Sequence, residues 1–315
     1  MVRRSGFLVS ILMVVLAVPA LAQERDRRPP RPDAVRPPDP STPLFEWWLR
    51  GQGLLFGNFF QATESEAEED VAALLGEVGM SVDLRRGFPL RAYGSVNYLR
   101  YDDEVLDSSH GLRVGVRSDG RPHAFDVYVD GQRDRPTFDV GDVFARADVT
   151  RLAGEYSYRV TREWQVTVDG ELEQQEFDLT PLRDNEFAGL GVAVRYRGWD
   201  FSPEIAYKAG TREVDDPTQS YDQTDFHLQV RSSLTPRVYM SVRLRSRERE
   251  YRTDQMTSSN FGRADDRIQL SGYLDIRLLG PLALNLYGSW EDVDSNLEGR
   301  DFASTLLAAG LTWRF

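Results

Sequence analysis

The chain has 315 residues, a formal net charge of −12, a single lysine (Lys208) and no cysteine. So acidic a balance disfavours nucleic acid as a partner, because the phosphates would be repelled. The missing cysteines exclude disulfides, thiolate metal sites and a lipid-modified N-terminal cysteine.

Residues 1–22 begin with Arg3 and Arg4, continue through an apolar run over 7–18 and close on Ala20-Leu21-Ala22. That order is a secretory signal peptide, too short to hold a bilayer as an anchor and cut after Ala22. Its removal takes two arginines and no acid, so the formal charge moves from −12 to −14. Residues 23–44 follow, and the stretch 24–43 holds seven of the sixteen prolines among alternating charges. Such a segment cannot build a core and is expected to be an extended periplasmic tether. The alternative is a docking segment for a periplasmic partner or the cell wall.

From Phe45 to Phe315 the sequence repeats one unit: ten to fifteen residues alternating apolar and polar, then a turn. The first, "FEWWLRGQGLLFGNFF", is the least regular. Later units are clean: Leu74, Val78, Met80 and Val82; then Leu112, Val114 and Val116; then Trp164, Val166, Val168 and Leu172. Val238, Met240, Val242 and Leu244 continue the series, and Leu307, Ala309, Leu311, Trp313 and Phe315 close it. Period two over fourteen segments, with no run of the ~18 apolar residues a spanning helix needs, predicts an all-β fold. The expected architecture is a transmembrane antiparallel up-and-down β-barrel of about 14 strands over 45–315. Low overall hydropathy is no obstacle, since only alternate residues meet lipid.

The connections alternate between long (61–70, 102–109, 133–146, 178–185, 214–221, 252–263, 293–300) and short, the short ones including Gly198, Pro236 and Gly280. Barrels of the outer membrane alternate in this way and return both ends to the periplasm. Tyr158, Trp164, Tyr196, Trp199, Phe201, Trp313 and Phe315 fall at short-turn ends, as an interfacial girdle would. A soluble sandwich or propeller accounts for neither pattern.

The ending "LAAGLTWRF" resembles the C-terminal signal of Gram-negative outer-membrane proteins, a final phenylalanine preceded by apolar residues at alternate positions. That resemblance implies recognition of Leu311, Trp313 and Phe315 by the barrel-assembly machinery, and lipid and lipopolysaccharide as surroundings. Fourteen strands in a chain this short resembles the monomeric general porins of the OmpG type.

Fourteen strands tilted near ~40° give a backbone diameter of about 28 Å, narrowed by side chains to roughly 10–15 Å. The polar phase should line that lumen. It supplies an acidic wall (Glu155, Asp169, Glu171, Glu173) and an arginine ladder (Arg243, Arg245, Arg247, Arg249), with Arg195, Arg197, Glu204 and Lys208 between them. Arginine facing lipid at midplane costs about 2–4 kcal/mol, which puts these charges inside. Either they neutralise one another across strands, with Arg195–Glu204 and Asp225–Arg245 as expected pairs, or separated walls create a transverse field.

The long connections are acidic ("TESEAEED", "YDDEVLD", "EDVDSNLEGRD"), so the mouth should favour cations. The third, over 133–146, is the longest; it is expected over the rim, or folded inward as a constriction. "DVDSN" opens like a calcium loop, but Leu297 stands where a glycine belongs, so no metal is expected. Three histidines exist: His110 near the outer rim by Asp102, Asp103, Ser108 and Ser109, His123 by a short turn, and His227 in the lumen opposite Arg243. One rim histidine beside acidic residues is weak grounds for hydrolysis. The expected function is therefore passive diffusion of ions or small hydrophilic solutes, without catalysis or cofactor. The alternatives are an export or surface-assembly barrel served by residues 24–43, and a closed structural or adhesive barrel.

Overall fold

In the computed structural model the described residues are 45–57, 70–84, 89–102, 108–137, 145–177, 181–198, 201–297 and 300–315. The signal peptide, the proline segment, Trp199 and residues 58–60 lie outside them. The strands are β1 Phe45–Gly57, β2 Val71–Asp83, β3 Leu90–Tyr101, β4 Ser109–Ser118, β5 His123–Thr137, β6 Ala145–Arg159 and β7 Trp164–Phe177. They continue with β8 Asn185–Tyr196, β9 Phe201–Val214, β10 Tyr221–Thr235, β11 Val238–Tyr251, β12 Ala264–Arg277, β13 Leu282–Ser295 and β14 Phe302–Arg314. Each pairs antiparallel with its sequence neighbours, and β1 pairs with β14, so the sheet closes into a fourteen-stranded barrel without an edge.

Followed from partner to partner, the register returns to β1 about 16 residues along from its start, which for this strand number means a tilt near 40° and a backbone diameter of about 26 Å. The seam leaves no room for a side chain at Gly310: a Cβ there would sit 2.5 Å from the Gly51 carbonyl oxygen.

The barrel is inside out relative to a soluble protein. Leu190 is 71% exposed and Leu74 67%, while Asp225 and Glu204 are 4% and 6% exposed. A continuous apolar wall facing outward and polar groups facing inward is what lipid outside and water inside select. These are transmembrane strands. Phe45, Trp47, Tyr158, Trp164, Trp313 and Phe315 are exposed at the end with the short connections, and Trp164 meets Tyr196 edge-on at 4.9 Å. Leu311 shares this outward face on β14, and the backbones of Phe315 and Trp47 exchange hydrogen bonds of 2.8 and 2.9 Å.

At the opposite end the strands outrun the apolar wall. Outward positions there become acidic: Glu186, Glu213, Asp222, Glu248, Glu250, Asp266, Asp292 and Asp294. The strands therefore carry the barrel beyond the hydrocarbon into water, since a charge held against lipid would be expensive.

One expectation is corrected by a β-bulge. The stretch 133–146 is not a single long loop: Arg133–Thr137 extends β5, and β6 already begins at Ala145, with Arg135 opposite Ala147. The register shifts between Gln132 and Arg135, where Asp134 adopts a φ of 52° and its N–H donates to the Asp148 carboxylate (3.2 Å). The extra residue changes the inward phase from even to odd numbers and turns Arg135 inward. Ala147, near the start of β6, packs with Val149 and Phe177 in a small buried cluster, while Phe138, Val140, Val143 and Phe144 lie outside the described residues. The connection shrinks to 138–144, outside the described residues, as is any inward fold of it; the first connection, 58–70, is the longest by sequence.

Candidate functional site in the barrel lumen

Described residues line two cavities of the interior. The larger, about 780 Å³, lies among β5 to β11, and the second, about 660 Å³, among β1 to β7 and β12 to β14. Arg135, Pro136, Arg151 and Glu173 line both, so the bulge and the β6–β7 pair mark the boundary between them.

The larger cavity gathers Glu155 of β6, Asp169, Glu171 and Glu173 of β7, Arg195 of β8, Glu204 and Lys208 of β9, and Arg243, Arg245, Arg247 and Arg249 of β11. Arg197 is not among its lining residues. It follows the last residue of β8 and donates to the Gln165 side chain at the short-connection end.

The β7 acids are met from β9, across β8. Lys208 Nζ lies 3.0 Å from Glu171 and 3.5 Å from Asp169, and Arg212 Nη2 donates to Glu173 at 2.9 Å. The Arg212–Glu173 pair crosses β8 at Phe187, whose ring lies 5.2 Å from the Arg212 guanidinium, whereas the Lys208 contacts need a stretch of β8 with no side chain in the way. The inward residues of β8 here are Gly189 and Gly191, and a Cβ on Gly191 would fall 2.4 Å from the Asp169 carboxylate. The small residues of "GLGVAV" thus open a bridge between neighbours.

On β9 to β11 two carboxylates act as nodes. Glu204 accepts from Arg195 Nε (2.6 Å) and Arg231 Nη2 (3.3 Å), with His227 Nε2 at 3.5 Å. Asp225 accepts from Arg245 Nε (2.8 Å), Arg247 Nε (2.9 Å) and the Gln223 amide (2.9 Å). Gln223 in turn accepts from Arg249 Nε (3.1 Å), while Gln229 accepts from Arg243 and Arg231. Both anticipated pairs, Arg195–Glu204 and Asp225–Arg245, are present. His227 stands opposite Arg245 and not Arg243, since the β10–β11 register places Gln229 across from Arg243.

The second cavity is balanced more simply, with Arg50–Glu77 at 3.0 Å and Arg113–Asp130 at 3.1 Å. Counting charges, the larger cavity is lined by ten arginine and lysine side chains against seven carboxylates, so the interior is locally basic within an acidic chain.

The remaining histidines are engaged at the ends of the barrel. His110 lies on the outside of β4, its ring 5.2 Å from that of Tyr98, and Asp102 accepts from the Ala72 backbone; Asp103 is outside the described residues. His123 Nδ1 is 2.6 Å from the Tyr156 hydroxyl. Asn296 of "DVDSN" ties its connection to the neighbouring one, accepting from Ala264 N–H and donating to the Gly262 carbonyl.

The connection between β9 and β10 holds a short 3-10 turn, Pro217–Gln219, capped by Asp216. Its carboxylate accepts from the Thr218 N–H (3.0 Å) and hydroxyl (2.8 Å) and from the Gln219 amide (3.1 Å). Partial burial opposes the charge, but these donors outweigh it and hold the Asp216 carboxyl below its ordinary value.

No family model and no curated relative matches the chain. Among solved structures, it is similar to a loop-deletion variant of OmpT, an outer membrane protein of Vibrio cholerae, at 12% identity and a TM-score of 0.48, over 86% of this chain and 98% of that one. It is also similar to an anion-selective porin from Comamonas acidovorans (8%, TM-score 0.44, 86% and 98%) and to OccAB4 of Acinetobacter baumannii (10%, TM-score 0.44, 88% and 100%). At these identities and scores the likeness is one of barrel architecture.

Proposed function

We propose that the chain is an outer-membrane channel of a Gram-negative bacterium, passing ions or small hydrophilic solutes by diffusion through a charged lumen. The observation that carries this reading is the pair of polar cavities inside a closed barrel whose outer wall is apolar. A wall of this kind belongs in lipid, and a lumen lined by ionised side chains stays wet. On this reading both chain ends lie on the periplasmic side with residues 24–43 leading from it, lipopolysaccharide surrounds the acidic rim, and Leu311, Trp313 and Phe315 serve the assembly machinery before they face lipid. Mechanism is then a matter of fixed charge: residues of the larger cavity set which solutes enter, and Arg135, Arg151 and Glu173 stand where the two cavities meet.

Single-channel recording of the refolded protein in a planar bilayer tests this. Steady, ohmic openings are expected. A barrel that inserts and resists heat in detergent, yet carries no current, would overturn the channel reading.

A further inference from the structure

The two charged walls of the larger cavity are matched unequally. Asp169, Glu171 and Glu173 meet Lys208 and Arg212, three acids to two bases. Facing them, Arg195 and Arg231 share Glu204, and Arg245 and Arg247 share Asp225. Arg243 is met by the amide oxygen of Gln229 at 3.1 Å, and its Nε is buried without a hydrogen-bond partner among the described residues. Arg249 donates to Gln223 and stands opposite Asp265 of β12, so the excess is carried by Arg195, Arg231, Arg243, Arg245 and Arg247, five guanidinium groups over two carboxylates.

The excess is ordered. Arg243, Arg245, Arg247 and Arg249 are alternate residues of one strand, so their origins step by about 7 Å and span about 20 Å along β11. Like charges at that spacing in a protein-walled channel repel, and an anion among them relieves the repulsion. A monovalent anion can relieve one step. A linear molecule with several anionic groups relieves successive steps at once, and its later contacts form at high effective concentration. Guanidinium forks suit the planar or tetrahedral oxygens of carboxylate and phosphate.

We infer that the β10–β11 wall is a binding track for solutes bearing several carboxylate or phosphate groups, held extended along the arginine row. The inference rests on the channel reading for its access route, and it names the class of solute that the channel would favour.

The test is current block. Inorganic tripolyphosphate and citrate, added separately to one side of a bilayer holding the wild-type protein, are expected to interrupt the current at concentrations at least tenfold below acetate. The ratio between the two tells phosphate from carboxylate as the preferred group. The double variant Arg243→Gln, Arg249→Gln leaves the Glu204 and Asp225 nodes in place and should weaken block at least tenfold. Arg133→Gln removes the same charge from a side chain that is 81% exposed and should leave block unchanged. Heat-modified gel migration identical to wild type shows that each variant is folded. Polyvalent anions that block no better than acetate, or equally well in the double variant, would overturn the track. Should the wild type pass no current, the channel reading fails, and calorimetric titration of tripolyphosphate into the detergent-folded barrel decides the track separately. Binding that the double variant loses retains it, and absence of binding overturns it.

Discussion

Across β8, Asp169 and Glu171 of β7 reach Lys208 of β9 over bare glycine backbone, whereas on β10 and β11 the guanidinium groups outnumber the carboxylates they share. Both walls arise from alternating polar residues on tilted strands, so alternation alone does not decide whether a wall is neutral. What decides it is whether opposite charges can reach one another. Gly189 and Gly191 extend the reach of Lys208 to a strand two places away. From Arg243 to Arg249 every second residue of β11 is arginine, and β10 offers Asp225 and glutamine amides within reach.

The sharpest way to break this contrast is Asp225→Asn. It removes the carboxylate that separates Arg245 from Arg247 at a nearly buried site, and a loss of about 3–5 kcal/mol is expected, the scale for orphaning buried charge. The thermal midpoint of the heat-modified gel shift reads it; an unchanged midpoint would mean that the ladder needs no node. Next in size is Gly191→Leu, which drives the bridge between β7 and β9 apart and should cost about 1–3 kcal/mol in the same assay. Lys208→Met leaves packing nearly intact but uncovers Asp169 and Glu171. A stability change of about 1 kcal/mol is expected, together with a reversal potential moved toward cations in a salt gradient.

The smallest effect belongs to the rim between the two walls. Asp216→Ala should cost about 0.5–1 kcal/mol locally, read as faster amide exchange at Thr218 and Gln219, with neither wall disturbed. Because the folded pKa of Asp216 is lowered, its contribution is complete above the ordinary carboxylate range and is lost as pH falls through the lowered value. Protection of those amides should therefore be flat around neutrality and decline only in acid.

Much of this was legible in the sequence, because a barrel wall between lipid and water imposes one rule on every strand. Outward residues such as Val78, Leu112 and Met240 are apolar and their neighbours are not, so strand number, phase and the inward side of the ladder follow from alternation. The pair Arg195–Glu204 could be anticipated because a short turn fixes its register. Other partners were missed for physical reasons. Arg212 and Arg231 share the phase of Lys208 and His227, and that signal went unused. Arg135 could not be found by phase, because the bulge at Asp134 inverts it. The bridging role of Gly191 depends on three strands at once, which no single segment encodes.

The overhang of the strands beyond the apolar wall divides the ladder electrically. Arg243 lies level with the outward residues Val242 and Leu244, whereas Arg249 lies between Glu248 and Glu250, above the lipid. A transmembrane voltage falls mainly across the hydrocarbon and amounts to about 2.3 kcal/mol per unit charge for 100 mV when the whole drop is crossed. An anion held at Arg249 has crossed almost none of it, so its capture is set by ionic strength and is indifferent to voltage. The same anion advanced to Arg243 has entered the field, and from that rung onward the membrane potential, acting with or against the fixed charge, sets the pace.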